Sequence, residues 1–585
     1  MFNYLKLSFV FIFILQVIGE LPVFCAEIQE NVAETSNIRT FLLHGQVAIL
    51  WNENDHSVRQ IMASDKPITE TNRESARILA SEILSGSAND WFQDPDECQN
   101  IKSAPRGWIL APDIAPLERT GGLFVHTFKN DDSLLLYFAV VGKEEKIQPN
   151  RNATTQPVKK NIENIRPIEQ NPGVLEAMKK VSKGLPVLLY LHAHQGRPSL
   201  DMSHLIFGNE MMGWREGLPF KFMVRIQKNH IRVEPFDRVW INRKMPAEEV
   251  ASEYYRGRRN IESWWFGTNN QINLPELVRK NDYVVNYTER WVLYVLDWVI
   301  DNYGADRNKI YASGTSMGTG VLRLAMNNPD RFAVVDGMVP FVDMTYDEGK
   351  PNMNNTKRFK GIWGTPSVKI DAATPIGNRV NLVQFVERHS EDLPYVIVRL
   401  GRQDYSVFWR RKPDFLRAMN NNRHGFLAAW DNGSHSTAMQ KKIDHFPGFN
   451  DISWYGERFA LNKSYPAISD CSLNNDAGNG EMNNGDLEGF INRGIDWKIL
   501  ADEPKQYRVH LFCTLDNAQY PITLSVTPRR VQQFHLSSGE KIQAEINSDS
   551  EQKQIDAVVN DKGLLTVKNV SLPDQKGCTL ILRKK

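Results

Sequence analysis

The feature that most narrows what this chain can fold into is Gly314-Thr315-Ser316-Met317-Gly318, set where a strand-like run hands over to a helix-like one. Before it, residues 309–313 are short, apolar and partly β-branched; after it, residues 320–326 place their apolar side chains at helical spacing. A strand–turn–helix elbow holds its central residue in a strained backbone conformation, so the positions two away on either side must be very small. Gly314 and Gly318 meet that demand. Such an elbow lifts the central hydroxyl above the sheet edge and points the N-terminus of the next helix at it. Ser316 is therefore a candidate nucleophile rather than a solvated turn serine.

The surroundings of the elbow have the matching rhythm. From about residue 185 to 454, strand-like runs at 186–191, 222–227, 239–242, 309–313, 334–339, 395–400 and 425–430 alternate with helical patterns. That alternation predicts an α/β architecture with a mostly parallel sheet. Residues 289–300 read as a mostly buried helix leading into the elbow strand. An insertion at 343–382, rich in Asn, Lys and Pro, falls between two sheet strands and is expected to form a lid or a cleft wall. On either side the pattern becomes all-β, predicting a sandwich over 37–158 and a second one over 466–585. A polar stretch at about 148–173 reads as a linker, and the central domain is expected to span 174–460.

Residues 7–18 form an apolar run preceded by Lys6, too short for a bilayer span and of the length of a secretory leader core. Residues 1–25 are accordingly expected to be a signal peptide and the chain to be secreted or periplasmic, with no membrane span. Bulky Phe24 argues against lipid attachment at Cys25. The remaining Cys98, Cys471, Cys513 and Cys578 are even in number, which suits an oxidising compartment. Cys513 and Cys578 flank one all-β stretch and are the first expected pair. Formal net charge is +1 with scattered Lys and Arg, which gives no electrostatic case for a nucleic-acid partner.

An activated serine needs a base, a carboxylate to orient the base, and donors for an oxyanion. Asp404 follows the 395–400 strand through Gly401-Arg402-Gln403, and His435 follows the 425–430 strand through Asp431-Asn432-Gly433-Ser434. Both fall just beyond strand C-termini, where ligands collect in an open α/β sheet. Asp343 is the alternative acid, and His424 and His445 are alternative bases. Of the two oxyanion donors, one is expected at the Met317 amide. The other is expected at the His194 amide, in the loop Leu191-His192-Ala193-His194-Gln195-Gly196. Adjacent Trp264 and Trp265, in Glu262-Ser263-Trp264-Trp265-Phe266, suit stacking on a sugar or an aromatic acyl group, although packing under a loop is the commoner fate of tryptophan. No residue cluster has metal-ligand spacing, and no metal or cofactor is expected.

On the elbow, Asp404, His435 and the 191–196 loop, residues 185–454 resemble an α/β-hydrolase domain. The resemblance is to extracellular esterases and to the catalytic domain of prolyl oligopeptidase-like serine hydrolases. It implies nucleophile, acid and base roles for Ser316, Asp404 and His435, and oxyanion roles for Met317 and His194. One departure is His192-Ala193, where His-Gly is common. No propeller repeat precedes the domain, unlike in a true prolyl oligopeptidase. Residues 64–69 and 136–141 loosely resemble fibronectin type III-like modules. The expected activity is ester hydrolysis through an acyl-enzyme, with acylated extracellular polysaccharide as the candidate substrate. A serine peptidase with the same triad, and a non-catalytic glycan-binding protein on a hydrolase scaffold, are the alternatives.

Overall fold

The computed structural model describes residues 38–52, 58–83, 87–88, 108–111, 113–118, 121–142, 144–170, 174–193, 203–208, 219–237, 239–240, 260–346, 355–370, 373–439 and 441–585. The expected signal peptide, Cys98 and His194 lie outside these residues.

Among the described residues, ten strands form the central sheet: β1 (Ile168–Glu169), β2 (Val187–Leu191), β3 (His204–Phe207), β4 (Pro219–Ile226), β5 (Ile231–Pro235), β6 (Ile310–Thr315), β7 (Val334–Met338), β8 (Tyr395–Gly401), β9 (Phe426–Asp431) and β10 (Gly489–Ile491). Their order across the sheet is β10-β9-β8-β7-β6-β2-β5-β4-β3-β1. The stretch from β9 to β5 is parallel throughout, and the pairings beyond it on both sides are antiparallel. The sheet is thus mostly parallel at its centre, as an α/β-hydrolase core requires.

Mostly apolar runs make the central parallel strands β2, β6, β7, β8 and β9, because both faces are covered. Successive side chains point to opposite faces. Val187, Leu189 and Leu191 enter one core and Leu188 the other; Ile310 and Ala312 enter the first and Tyr311 the second. On the first face lie α1 (Tyr287–Tyr303), α2 (Gly320–Met326) and α3 (Lys412–Asn421), contributing Trp291, Val295, Leu322 and Phe415. The second face is covered by α4 (Ile452–Arg458) through Ile452 and Tyr455, with Phe459 beyond it.

Three expectations change here. The strand expected at 239–242 is not in the central sheet: Val239–Trp240 pairs with Asn260–Ile261 in a separate two-stranded ribbon. The sheet position beside β2 belongs instead to β5, whose Ile-Arg-Val-Glu alternation lacks the apolar run of a buried strand. The sheet also recruits pieces from its neighbours, because β1 comes from the expected linker and β10 from the expected C-terminal unit. Finally, Cys471, Cys513 and Cys578 are free, buried thiols. Cys578 stands opposite Leu511, two residues along the strand from Cys513. A diagonal of about 7–8 Å is too long for a disulfide. Burial pushes the Cys471 thiol up to about 11 and that of Cys578 up to about 12.

Flanking the core are smaller sheets. The N-terminal part has two antiparallel sheets enclosing Val47, Ile49, Phe124, Phe138 and Val140. The outer face of one packs on Leu205 and Phe207 of β3. The C-terminal part pairs a three-stranded with a five-stranded sheet around a core that includes Tyr507, Val509 and Leu511. Among the described residues, no helix is long and apolar enough to cross a membrane.

Candidate active site

The chain turns from β6 into α2 through a short 3-10 segment, Ser316–Thr319. Ser316 has φ +56°, a left-handed conformation that a non-glycine residue holds at a cost of about 1–3 kcal/mol. The close approach explains the flanking glycines. A Cβ on Gly314 would lie 2.0 Å from the Gly318 carbonyl oxygen, and one on Gly318 would lie 2.1 Å from that of Leu191. The elbow is thus wedged against the end of β2.

Asp404 sits three residues past β8 and His435 four past β9, and the parallel register brings both loops to the side of the sheet where Ser316 lies. His435 Nε2 is 2.8 Å from Ser316 Oγ. Its Nδ1 is 3.0 and 2.9 Å from the two Asp404 carboxylate oxygens. The Ser406 and Val407 amides donate to Asp404 Oδ1 at 2.9 and 2.8 Å. Burial pushes the Asp404 carboxyl up, but the His435 hydrogen bond, the Lys412 charge, the imidazole and the Val407 amide together hold it below its ordinary value. The carboxylate is fully buried while the His435 side chain keeps 29% exposure, so the chain of groups opens toward solvent at its imidazole and hydroxyl end. A buried, ionised acceptor fixes Nδ1 as the protonated ring nitrogen and leaves Nε2 free to accept.

The alternatives are occupied elsewhere. Asp343 accepts from Thr345, Asn381 and Arg411. His424 is buried, with Nε2 3.0 Å from the His389 carbonyl, and burial pulls its imidazole down to about 3. His445 lines a cleft of about 380 Å³ with Phe490, Arg493 and Leu515.

Trp264 and Trp265 do not form the open stacking face expected of them. They are 7% and 0% exposed. Trp264 packs edge-on against Phe341 and Phe359, and Trp265 Nε1 donates to the His192 carbonyl at 3.3 Å. Both stand at positive φ and are held from below by Asp237, whose carboxylate accepts the Ser263 and Trp265 amides at 3.0 and 2.7 Å. They are a structural wedge between α2 and the end of β2. The 343–382 insertion completes this wall: Met344, Val380 and Leu382 line a small cavity with Met317 and Gly320. Trp363 Nε1 donates to the Gly267 carbonyl at 2.8 Å.

Two features of the site have no sequence signal. His192 Nε2 meets Glu234 Oε2 at 2.5 Å, anchoring the end of β2 to β5. Lys412 is wholly buried with Nζ 3.7 Å from Asp404 Oδ2. In the basic run Arg410-Arg411-Lys412 nothing marks the third residue as internal.

The fold and the elbow define a core of the α/β-hydrolase class. Residues 291–445, about a quarter of the chain, match the family model described as "Prolyl oligopeptidase family". The matched segment carries Ser316, Asp404 and His435, and the relationship it supports is to the esterases and peptidases at the superfamily level: the core is serine-hydrolase-like. Similar solved structures include an S-formylglutathione hydrolase from Agrobacterium tumefaciens, at 16% identity and a TM-score of 0.29, covering 47% of this chain and 82% of that one. Oligopeptidase B from Leishmania major is 10% identical with a TM-score of 0.28, over 74% of this chain and 63% of the oligopeptidase. A thermophilic esterase from Thermogutta terrifontis is 14% identical with a TM-score of 0.23, over 43% of this chain and 73% of the esterase. Scores this low carry no argument about function. None of the curated proteins matches the chain. Nothing in these likenesses supports a fibronectin type III-like module at 37–158.

Proposed function

We propose that the protein is a serine hydrolase that cleaves esters through an acyl-enzyme. In this reading Ser316 attacks the acyl carbon, His435 takes its proton and returns it to the leaving alcohol, and Asp404 holds the imidazole in the required tautomer and stabilises its cation. The Met317 and His194 amides are the proposed oxyanion donors; each such donor contributes about 2.7–4 kcal/mol in hydrolases of known mechanism. The observation that carries the proposal is the unbroken Ser316–His435–Asp404 chain, with its separations of 2.8 and 2.9 Å. Hydrolysis of the acyl-enzyme repeats the proton transfers with water in place of Ser316.

Export of the chain behind a leader at 1–25 and action on acylated extracellular polysaccharide belong to the same proposal. The burial of Trp264 and Trp265 removes one of its supports, leaving the leader-like segment and the flanking β-sheets. A second reading, peptide hydrolysis by the same triad, is favoured by the match to the prolyl oligopeptidase family model. The test is covalent labelling with a fluorophosphonate, wild type beside Ser316→Ala. Labelling that disappears in the variant supports an activated Ser316; absence of labelling in folded wild type sinks both readings. Initial rates on acetylated glycan, p-nitrophenyl acetate and chromogenic peptides then separate ester from peptide hydrolysis.

A further inference from the structure

Lys412 is the worst ordinary residue for its place on two physical counts. It opens α3, so its charge sits at the positive end of a helix dipole. It is also 0% exposed, where an ammonium has lost its hydration. Methionine would fill the same space without either cost. The acceptors that face its Nζ are Asp404 Oδ2 at 3.7 Å and the Gly401 carbonyl at 3.4 Å. Burial pulls the Lys412 ammonium down to about 8, against the pull of the Asp404 charge.

The other charged groups nearby are engaged elsewhere. Arg402 donates to the Met482, Asn484 and Asp486 carbonyls. Arg411 pairs with Asp343 and Asp414. The Asp431 carboxylate accepts the Gly433 and Met439 amides. Asp404 is therefore bracketed by two titratable groups, His435 on the side of Ser316 and Lys412 from α3.

We propose that Lys412 is a positioning residue for the acid–base pair, a buried counter-charge that keeps Asp404 ionised and its carboxylate turned toward His435 Nδ1. The proposal rests on the triad reading above. With Lys412 charged, the Asp404–His435 pair faces an added positive charge, binds a proton less tightly and stays in its reactive form to lower pH. A purely structural lysine, tying α3 to the Gly401 turn, has no such effect on titration.

The experiment is the pH profile of kcat/KM and kcat on p-nitrophenyl acetate for the full chain, comparing wild type, Lys412→Met and Lys412→Arg. In Lys412→Met the expected result is a fall in kcat of about 10–100-fold with KM little changed, and an acid limb moved upward by about one pH unit. Wild type is expected to lose kcat above about pH 8 as Lys412 loses its charge; in Lys412→Arg the acid limb stays in place and that decline is absent, because arginine keeps its charge. A folded Lys412→Met with kcat within about twofold of wild type and the same acid limb overturns the proposal. If Lys412→Met does not fold, an alkaline decline that persists in Lys412→Arg overturns it, and its disappearance supports it. Fluorophosphonate labelling of wild type and Ser316→Ala, run in parallel, reports separately on the triad.

Discussion

Asp404→Asn tests the acid's role with little disturbance to packing. The carboxylate is held by two backbone amides on Oδ1, from Ser406 and Val407. An asparagine must keep its carbonyl oxygen at that position or leave both amides without a partner, so its NH2 replaces Oδ2. That NH2 then points at His435 Nδ1, 2.9 Å away from the oxygen it replaces. A donor at that nearer position favours an accepting Nδ1 over the donation that the retained oxygen at 3.0 Å still allows, which shifts the ring proton toward Nε2. Nε2 faces Ser316 Oγ at 2.8 Å and can no longer take its proton. Loss of the base through tautomer reversal costs about 10 000-fold in kcat, or about 5.4 kcal/mol on the barrier. The assay is steady-state turnover of p-nitrophenyl acetate at pH 7–8, with circular dichroism to verify folding. A folded variant that loses less than about tenfold refutes the reasoning, because the predicted tautomer would then not govern turnover.

Gly318→Ala forces a methyl to 2.1 Å from the Leu191 carbonyl, so the elbow shifts and stability falls by about 3 kcal/mol or more; urea unfolding measures it, and a loss under about 1 kcal/mol contradicts the wedge. Trp265→Ala removes a fully buried indole and is expected to cost about 3–5 kcal/mol, read by calorimetry; unchanged stability with weakened glycan binding would restore the stacking role. Burial pulls His204 and His424 each down to about 3 in the fold, whereas the unfolded chain protonates them near 6.5. Their contribution is therefore intact above about pH 6.5 and is lost as pH falls toward 3, by about 1.4 kcal/mol per pH unit for each ring. In His424→Gln the slope of stability against pH over that interval flattens, and an identical slope disproves the assignment.

The central fold was legible because its cause is local. A buried parallel strand needs a mostly apolar run, and β2, β6, β7, β8 and β9 each have one, with Asp336 of β7 and Arg399 of β8 paired to each other where the run is broken. Gly314 is legible for the same reason, since it reports a backbone approach to Gly318 within five residues, whereas Gly318 is required by the distant Leu191 carbonyl. Asp404 and His435 could be picked out by position alone, since each follows such a strand by a few residues and parallel strands place those loops on one side. Other features depend on partners distant in sequence. Short or half-polar β1, β3, β5 and β10 become strands by completing an existing sheet, and their own residues do not announce it. Cysteine pairing turns on a register offset of two residues, which composition cannot express. Whether Trp264 and Trp265 face solvent or the core was decided by the insertion that brings Phe359 against them and by the Asp237 carboxylate beneath. Lys412 is the extreme case. Amino-acid type marks it for the surface, and only the packing of α3 against the β8 loop puts its charge beside Asp404. Apolar periodicity and close backbone contacts are written in neighbouring residues, so the sequence by itself determined the layered core and the elbow. Burial and ion pairing depend on which distant segments meet, so the surroundings of Ser316, His435 and Asp404 were settled by the tertiary structure alone.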